Sequence, residues 1–243
     1  MLMNIALLGY GKMGRMIESL IVQEGRHQVV LRIDEFNRNS VSTEELKKAD
    51  AAIDFSVPSA VRENVAWCLE AGVPLVIGTT GWYEALEAVK AQCLEKNGAV
   101  IYASNFSIGV NIFFEVNRRL AELMKDRKEY DPRITEIHHV QKLDKPSGTA
   151  ITLANDILTY SPVKQRWSNA ETAKQDELII LSRREGEVKG IHEVEYSSAV
   201  DRLTIRHEAF TREGFARGAV LAAEWINGKK GFYQFRDVLL GNS

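Results

Sequence analysis

Cysteine is scarce in this sequence. Cys68 and Cys93 are the only two in 243 residues. Both fall inside stretches of helical pattern, with no metal-ligand spacing around them. That argues against a disulfide framework or a cysteine zinc site. It predicts two buried, reduced thiols in a cytoplasmic protein with no metal. Long apolar runs are missing as well. None approaches the ~20 residues of a membrane span. The run Ile5–Leu8 is too short for a signal-peptide core and leads directly into glycines. Neither sign of charge dominates, since the formal net charge is −2. Nothing therefore marks a nucleic acid as partner, and any anion must be recognised locally. There is no internal repeat, no low-complexity tract and no basic helix-turn-helix. The expectation is a soluble protein with neither a membrane nor a nucleic acid as partner.

What is present is an ordinary globular composition, 45% apolar, in a length that suits one large domain or two modest ones. The first hundred residues alternate short apolar runs with helical spacing. Strands are predicted at Asn4–Leu8, Gln28–Ile33, Ala51–Phe55, Leu75–Ile77 and Ala99–Tyr102. Helices are predicted at Lys12–Gln23, Ser59–Glu70 and Tyr83–Glu95, with a weak one at Thr43–Lys48. The alternation indicates a parallel sheet with helices on both faces. The pattern then changes. A long helix is expected over Ile108–Met124, a strand over Arg133–Val140, a helix over Ser147–Leu158 and an irregular loop over Tyr160–Asp176. Leu178–Arg183 and His192–Tyr196 read as antiparallel strands around the turn signal Glu185-Gly186-Glu187. A further strand at Arg202–His207 and a helix at Glu213–Ile226 follow.

Gly9-Tyr10-Gly11-Lys12-Met13-Gly14 follows a strand and opens a helix, the context a dinucleotide fingerprint requires. The glycines permit a tight turn, close approach of a pyrophosphate and close helix–strand packing. Asp34 ends the second strand, twenty residues after Gly14. An acid there accepts hydrogen bonds from ribose hydroxyls and repels a 2′-phosphate, and Glu35 adds to that repulsion. Arg38 offsets part of it. NADH is therefore the expected cofactor, with NADPH still admissible. Gly78-Thr79-Thr80-Gly81 and Ala103-Ser104-Asn105-Phe106 follow the fourth and fifth strands, at the edge where open α/β sheets bind ligands.

The segment Glu136–Ala150, E-I-H-H-V-Q-K-L-D-K-P-S-G-T-A, carries the most chemistry. His138 and His139 are neighbours on a period-2 strand, so they point to opposite faces and have different jobs. Histidine exchanges protons near neutral pH. Lys142 brings a positive charge, and Asp144 either steers it or caps the following helix. Ser147, Gly148 and Thr149 offer backbone N–H groups at a helix N-terminus, which suits a carboxylate. The combination predicts a small carboxylated substrate.

E-x-H-H-x-x-K-x-D-x-P-S-G-T-A resembles the active-site signature of the dihydrodipicolinate reductase family, the 4-hydroxy-tetrahydrodipicolinate reductases. The glycine loop, Asp54-Phe55-Ser56, Gly78–Gly81, Ala103–Asn111 and Gly218-Ala219 fall in family order, so the resemblance spans nearly the whole chain. It implies an α/β fold: a Rossmann-type dinucleotide-binding domain (residues 1–106 and 216–243), and an α+β substrate and oligomerisation domain with an open mixed sheet (107–215). It implies that His138 donates or accepts a proton and that Lys142 is a second proton donor. His139 would contact substrate, and Gly148 with Thr149 would bind a substrate carboxylate. Gly9, Tyr10, Gly11, Lys12, Met13, Gly14, Asp34, Gly78, Thr79, Thr80, Ala103, Ser104, Asn105 and Phe106 would contact the cofactor. It further implies NAD(P)H-dependent reduction of a cyclic dicarboxylate in lysine and diaminopimelate biosynthesis, by a homotetramer assembled through its substrate-domain sheets. The sequence departs from the family at four places. The glycine loop is one residue shorter than in some members. Asp34-Glu35 replaces an acidic-then-basic pair, Val57 stands where some members have arginine, and the stretch from Asp34 to Asp50 is short. A semialdehyde dehydrogenase would need a catalytic cysteine, and neither Cys68 nor Cys93 has a suitable setting.

Overall fold

A computed structural model describes residues 2–172 and 174–241. Met1, Ala173, Asn242 and Ser243 lie outside the described residues; they include the ends of the expected nucleotide domain and one position of the expected loop 160–176. In chain order the elements are β1 (Asn4–Leu8), α1 (Lys12–Glu24), β2 (Gln28–Ile33), α2 (Thr43–Leu46), β3 (Ala51–Asp54), α3 (Val61–Ala71), β4 (Leu75–Ile77), α4 (Leu86–Glu95) and β5 (Ala99–Tyr102). Then come α5 (Ile108–Met124), β6 (Asp131–His138), α6 (Gly148–Tyr160), β7 (Arg166–Ser168), β8 (Glu177–Arg184), β9 (Ile191–Ser197) and β10 (Arg202–Glu208). The chain ends with α7 (Glu213–Ile226), β11 (Gly231–Gln234) and α8 (Phe235–Leu240). They fall into two compact units, Met1–Ile108 with Glu213–Ser243, and Gly109–Arg212.

The first unit is a six-stranded sheet in the order β11-β5-β4-β3-β1-β2, with every pairing parallel. Strands in such a sheet are covered on both faces, which is why β3 and β4 are apolar almost throughout and fully buried. One core face joins Ile17, Leu20, Ala216, Ala219 and Ala223 to the sheet. The other holds Leu46, Val65, Cys68, Val89 and Cys93. Both cysteines are therefore buried free thiols, and burial pushes each thiol up. Two elements had no clear signal in the sequence. β11 adds an edge strand beside β5, and α8 follows it. The weak helical pattern at Thr43 does form a helix, because Ser42 and Glu45 make a reciprocal capping box.

The second unit is a five-stranded mixed sheet in the order β10-β9-β6-β8-β7. Helices α5 and α6 supply Phe113, Phe114, Leu153 and Ile157 to a core shared with Ile134, Ile180 and Val194. The expected antiparallel pairing of the strands around Glu185-Gly186-Glu187 is not what forms. β6 lies between them, parallel to β8 and antiparallel to β9. A tight turn joins only nearest-neighbour strands. Here the connection instead crosses the end of β6, where Glu185 N donates to His138 O (2.8 Å) and Val140 N to Gly186 O (3.2 Å). The expected loop 160–176 also contains β7, which pairs parallel with β8. Among the described residues no helix is long and apolar enough to cross a membrane.

Candidate active site

β6 alternates between exposed and buried positions, so Glu136 and His138 share one face. Glu136 is fully buried and His138 is 8% exposed. The strand register then selects their company. Glu136 lies opposite Ser182 on β8 and His192 on β9, and His138 lies opposite Arg184. The Glu136 Oε2 atom sits 2.7 Å from His138 Nδ1, and Oε1 accepts from the Arg184 guanidinium at 3.1 Å. Burial alone would push the Glu136 carboxyl up. Hydrogen bonds from His138, Ser182 and Ser147 outweigh it and hold the group far below the usual carboxylate range. Glu136 is thus a buried anion. The carboxylate takes the Nδ1 side of the His138 ring and leaves Nε2 as the working nitrogen. Gly190 faces that nitrogen, and a Cβ there would come within 3.2 Å of it.

His192 completes the cluster. Its ring meets that of His138 edge-on with centroids 5.0 Å apart. Burial, aided by the His138 charge, pushes its imidazole down to about 3, so it is neutral over the working pH range. Its Nε2 lies 3.2 Å from Ser147 Oγ. Glu136, His138 and His192 bring ligand-capable atoms within 4.8 Å of one another, a metal-like set. Arg184 also pairs with Oε1 of this carboxylate, and Oε2 lies against His138 Nδ1.

Lys142 follows in the loop after β6, half-buried, with Nζ 2.8 Å from Asp144 Oδ1. Asp144 therefore steers the lysine. The cap of α6 is Ser147, whose Oγ accepts from Ala150 N at 3.2 Å. That takes one of the free donors of the first turn and leaves those of Gly148 and Thr149. Gly148 is exposed, and a Cβ on it would meet nothing within 4 Å. His139 is half-buried and lies just past β6, which stops at His138 instead of running on to Val140 as expected, with Nε2 3.4 Å from Arg212 Nη2. The segment thus gathers His138 and Lys142, the Gly148–Thr149 turn, and His139 beside a further cation, all within the second unit.

The first unit carries a separate cleft of about 510 Å³, lined among others by Gly9, Tyr10, Gly11, Asp34, Arg38 and Ser56. Gly9 has φ +90, and a Cβ there would strike Phe55 O at 2.4 Å; one on Gly14 would strike Gly9 O at 2.5 Å. Over Gly11 the space is open, and α1 starts with no side-chain cap. Open space and uncapped donors at Lys12 and Met13 fit a pyrophosphate. Asp34 is fixed at the cleft by its Oδ1, which accepts from Phe36 N (2.9 Å) and Asn37 N (3.1 Å). Arg38 lies 3.7 Å over the Trp67 ring. Gly78 makes room for the Phe55 ring. Thr79 is buried and donates to Asp54 Oδ1 at 2.8 Å, whereas Thr80 and Ser104 are exposed and Ala103 is half-buried. Asn105 Oδ1 accepts from Ser107 N. Phe106 is buried, its ring packed against Phe55 and Phe235 and its carbonyl against Gly218.

Sequence reasoning left out Asp54, Glu136, Arg184, His192 and Arg212 as site residues. Asp54 is fully buried and accepts from Ser56, Asn64 and Thr79, which ties two of the strand-end loops together. A charged residue inside an apolar strand was its available signal, and the same signal marked Glu136. Arg184 and His192 had none, because strand register alone brings them in.

A family model described as dihydrodipicolinate reductase, N-terminus, matches residues 3–106, and its C-terminus counterpart matches residues 109–239. A 4-hydroxy-tetrahydrodipicolinate reductase of Christiangramia forsetii is 46% identical over 239 residues, covering 98% of both chains. One from Methanopyrus kandleri is 39% identical over 80% of this chain and 73% of its own. Among solved structures, dipicolinate-bound dihydrodipicolinate reductase from Paenisporosarcina sp. TG-14 aligns with a TM-score of 0.81 and 25% identity. That alignment covers 98% of this chain and 99% of that one. Matched in both halves and along almost its whole length, this chain belongs to the dihydrodipicolinate reductase family.

Proposed function

We propose that this protein reduces 4-hydroxy-tetrahydrodipicolinate to tetrahydrodipicolinate with a nicotinamide cofactor, in the diaminopimelate route to lysine. The observation that carries the reading is the buried Glu136–His138 pair set beside Lys142 and the open N-terminus of α6. The substrate has two carboxylates to hold and one carbon to protonate. The N–H groups of Gly148 and Thr149 bind one carboxylate, and His139 contacts the substrate from the loop that follows β6. Glu136 keeps the His138 ring oriented, so Nε2 holds and releases the proton. Lys142 is the second acid, and Asp144 holds it in place. The 4-hydroxyl leaves as water to give a conjugated system, to whose C4 a bound nicotinamide would supply the hydride while the proton goes to the resulting enamine carbon.

The cofactor contacts come from the glycine loop (Gly9, Tyr10, Gly11, Lys12, Met13, Gly14), Asp34, Gly78, Thr79, Thr80, and Ala103 through Phe106. NADH is preferred, because Asp34 is held at the cleft and repels a 2′-phosphate. Arg38 at the same cleft keeps NADPH usable. The protein works in the cytoplasm as a homotetramer. The test is NADH and NADPH oxidation in an assay coupled to the upstream synthase. Turnover with both, at higher kcat/KM with NADH, is expected. No turnover with either overturns the activity; equal or better efficiency with NADPH overturns the preference alone.

A further inference from the structure

We infer that Arg184, outside the signature segment, is a positioning residue that holds the Lys142 loop and the Glu136–His138 pair in one frame. The inference rests on the proposed reading of His138 and Lys142 as the two acids. A guanidinium has five N–H donors in a rigid fork, and all five are used here. Nε donates to Lys142 O (3.1 Å). Nη1 donates to Glu136 Oε1 (3.1 Å) and Arg183 O (2.7 Å). Nη2 donates to Glu136 Oε1 (3.1 Å) and to Asp144 O. The Arg184 side chain is 9% exposed, and Glu136 is not exposed at all.

The two loop carbonyls flank Leu143, so one guanidinium grips the turn that presents Lys142 on either side of its tip. The same guanidinium faces one oxygen of Glu136, while the other oxygen meets His138 Nδ1. Displacing Arg184 therefore disturbs both acids at once. Lysine is no substitute. Its three donors sit on one atom and cannot span a carboxylate and two separate carbonyls. A buried arginine with every donor satisfied would also stabilise the sheet end without serving turnover. The two roles separate in kinetics.

The experiment compares Arg184→Gln and Arg184→Lys with His138→Gln and Lys142→Ala as controls, in the synthase-coupled assay with NADH. Expected for Arg184→Gln are an unchanged Kd for NADH and a loss of about 100-fold in kcat. The KM for substrate should rise. Arg184→Lys should recover only part of kcat. A lowered melting temperature with wild-type kcat and KM would overturn the inference, since the arginine would then only stabilise. If Arg184→Gln does not fold, Arg184→Lys decides: wild-type kcat overturns the inference and a loss of about tenfold or more supports it. Full activity in both controls overturns the reading beneath it, and this inference with it. Impaired controls beside an unimpaired Arg184→Gln overturn this inference alone.

Discussion

At the scale of single residues, the site depends on a buried anion. Glu136 stays ionised because four neighbours donate to it, and through it His138 acquires one oriented, available nitrogen. His138→Gln should therefore lower kcat by about 10²–10⁴-fold while leaving the Kd for NADH unchanged. Lys142→Ala should lower kcat and raise the substrate KM. Steady-state kinetics and NADH titration separate these effects. His192 makes a stability prediction. Its imidazole titrates near pH 6.5 when unfolded and at about 3 when folded. Above pH 6.5 both states are neutral and stability is intact. As pH falls from about 6.5 to 3 the unfolded state takes up a proton that the folded state refuses. Stability should then fall by up to about 1.4 kcal/mol per pH unit from this group. Urea midpoints across that range would show it, and His192→Asn should flatten the slope. An unaltered slope in the variant would assign the effect elsewhere.

At the scale of elements, the start of α6 ties stability to binding. Ser147 caps the helix and touches His192, so Ser147→Ala should cost about 1 kcal/mol of stability. It should also raise the substrate KM, because the turn that presents Gly148 and Thr149 loses its anchor. Chemical denaturation and initial rates would measure the two effects. This is also where reading the sequence succeeded and failed most clearly. β1, β2, β4, β5 and α5 were legible to the residue, because local apolar period and glycine punctuation suffice for them. β7 and β11 were not. Each is an edge strand of three or four residues with one paired side, and so short a segment carries no period. The pairing around Glu185-Gly186-Glu187 was misread, because a turn signal says that the chain bends but not which strand lies beside it.

At the scale of the whole molecule, the glycine-loop cleft belongs to the first unit and the acid cluster to the second. The proposed homotetramer belongs to this scale. β10 forms an edge of the second sheet, and Val200 and Leu203 are exposed near it. Sedimentation equilibrium should give the mass of four chains at assay concentration; a stable monomer would overturn the assembly. The signature segment was legible as chemistry because His138, Lys142, Gly148 and Thr149 are close in sequence, so a local pattern carries them. The residues that make those groups work were not legible in that way. Arg184 and His192 stand 46 and 54 positions beyond His138, on strands whose register no local pattern encodes. By itself the sequence determined the fold class and the glycine loop, which follow from short-range periodicity and spacing, and it made His138 and Lys142 the candidate acids. Only the tertiary structure decided that a central β6, rather than a β8–β9 hairpin, brings Glu136, Arg184 and His192 onto His138. Long-range hydrogen bonding between strands sets that register.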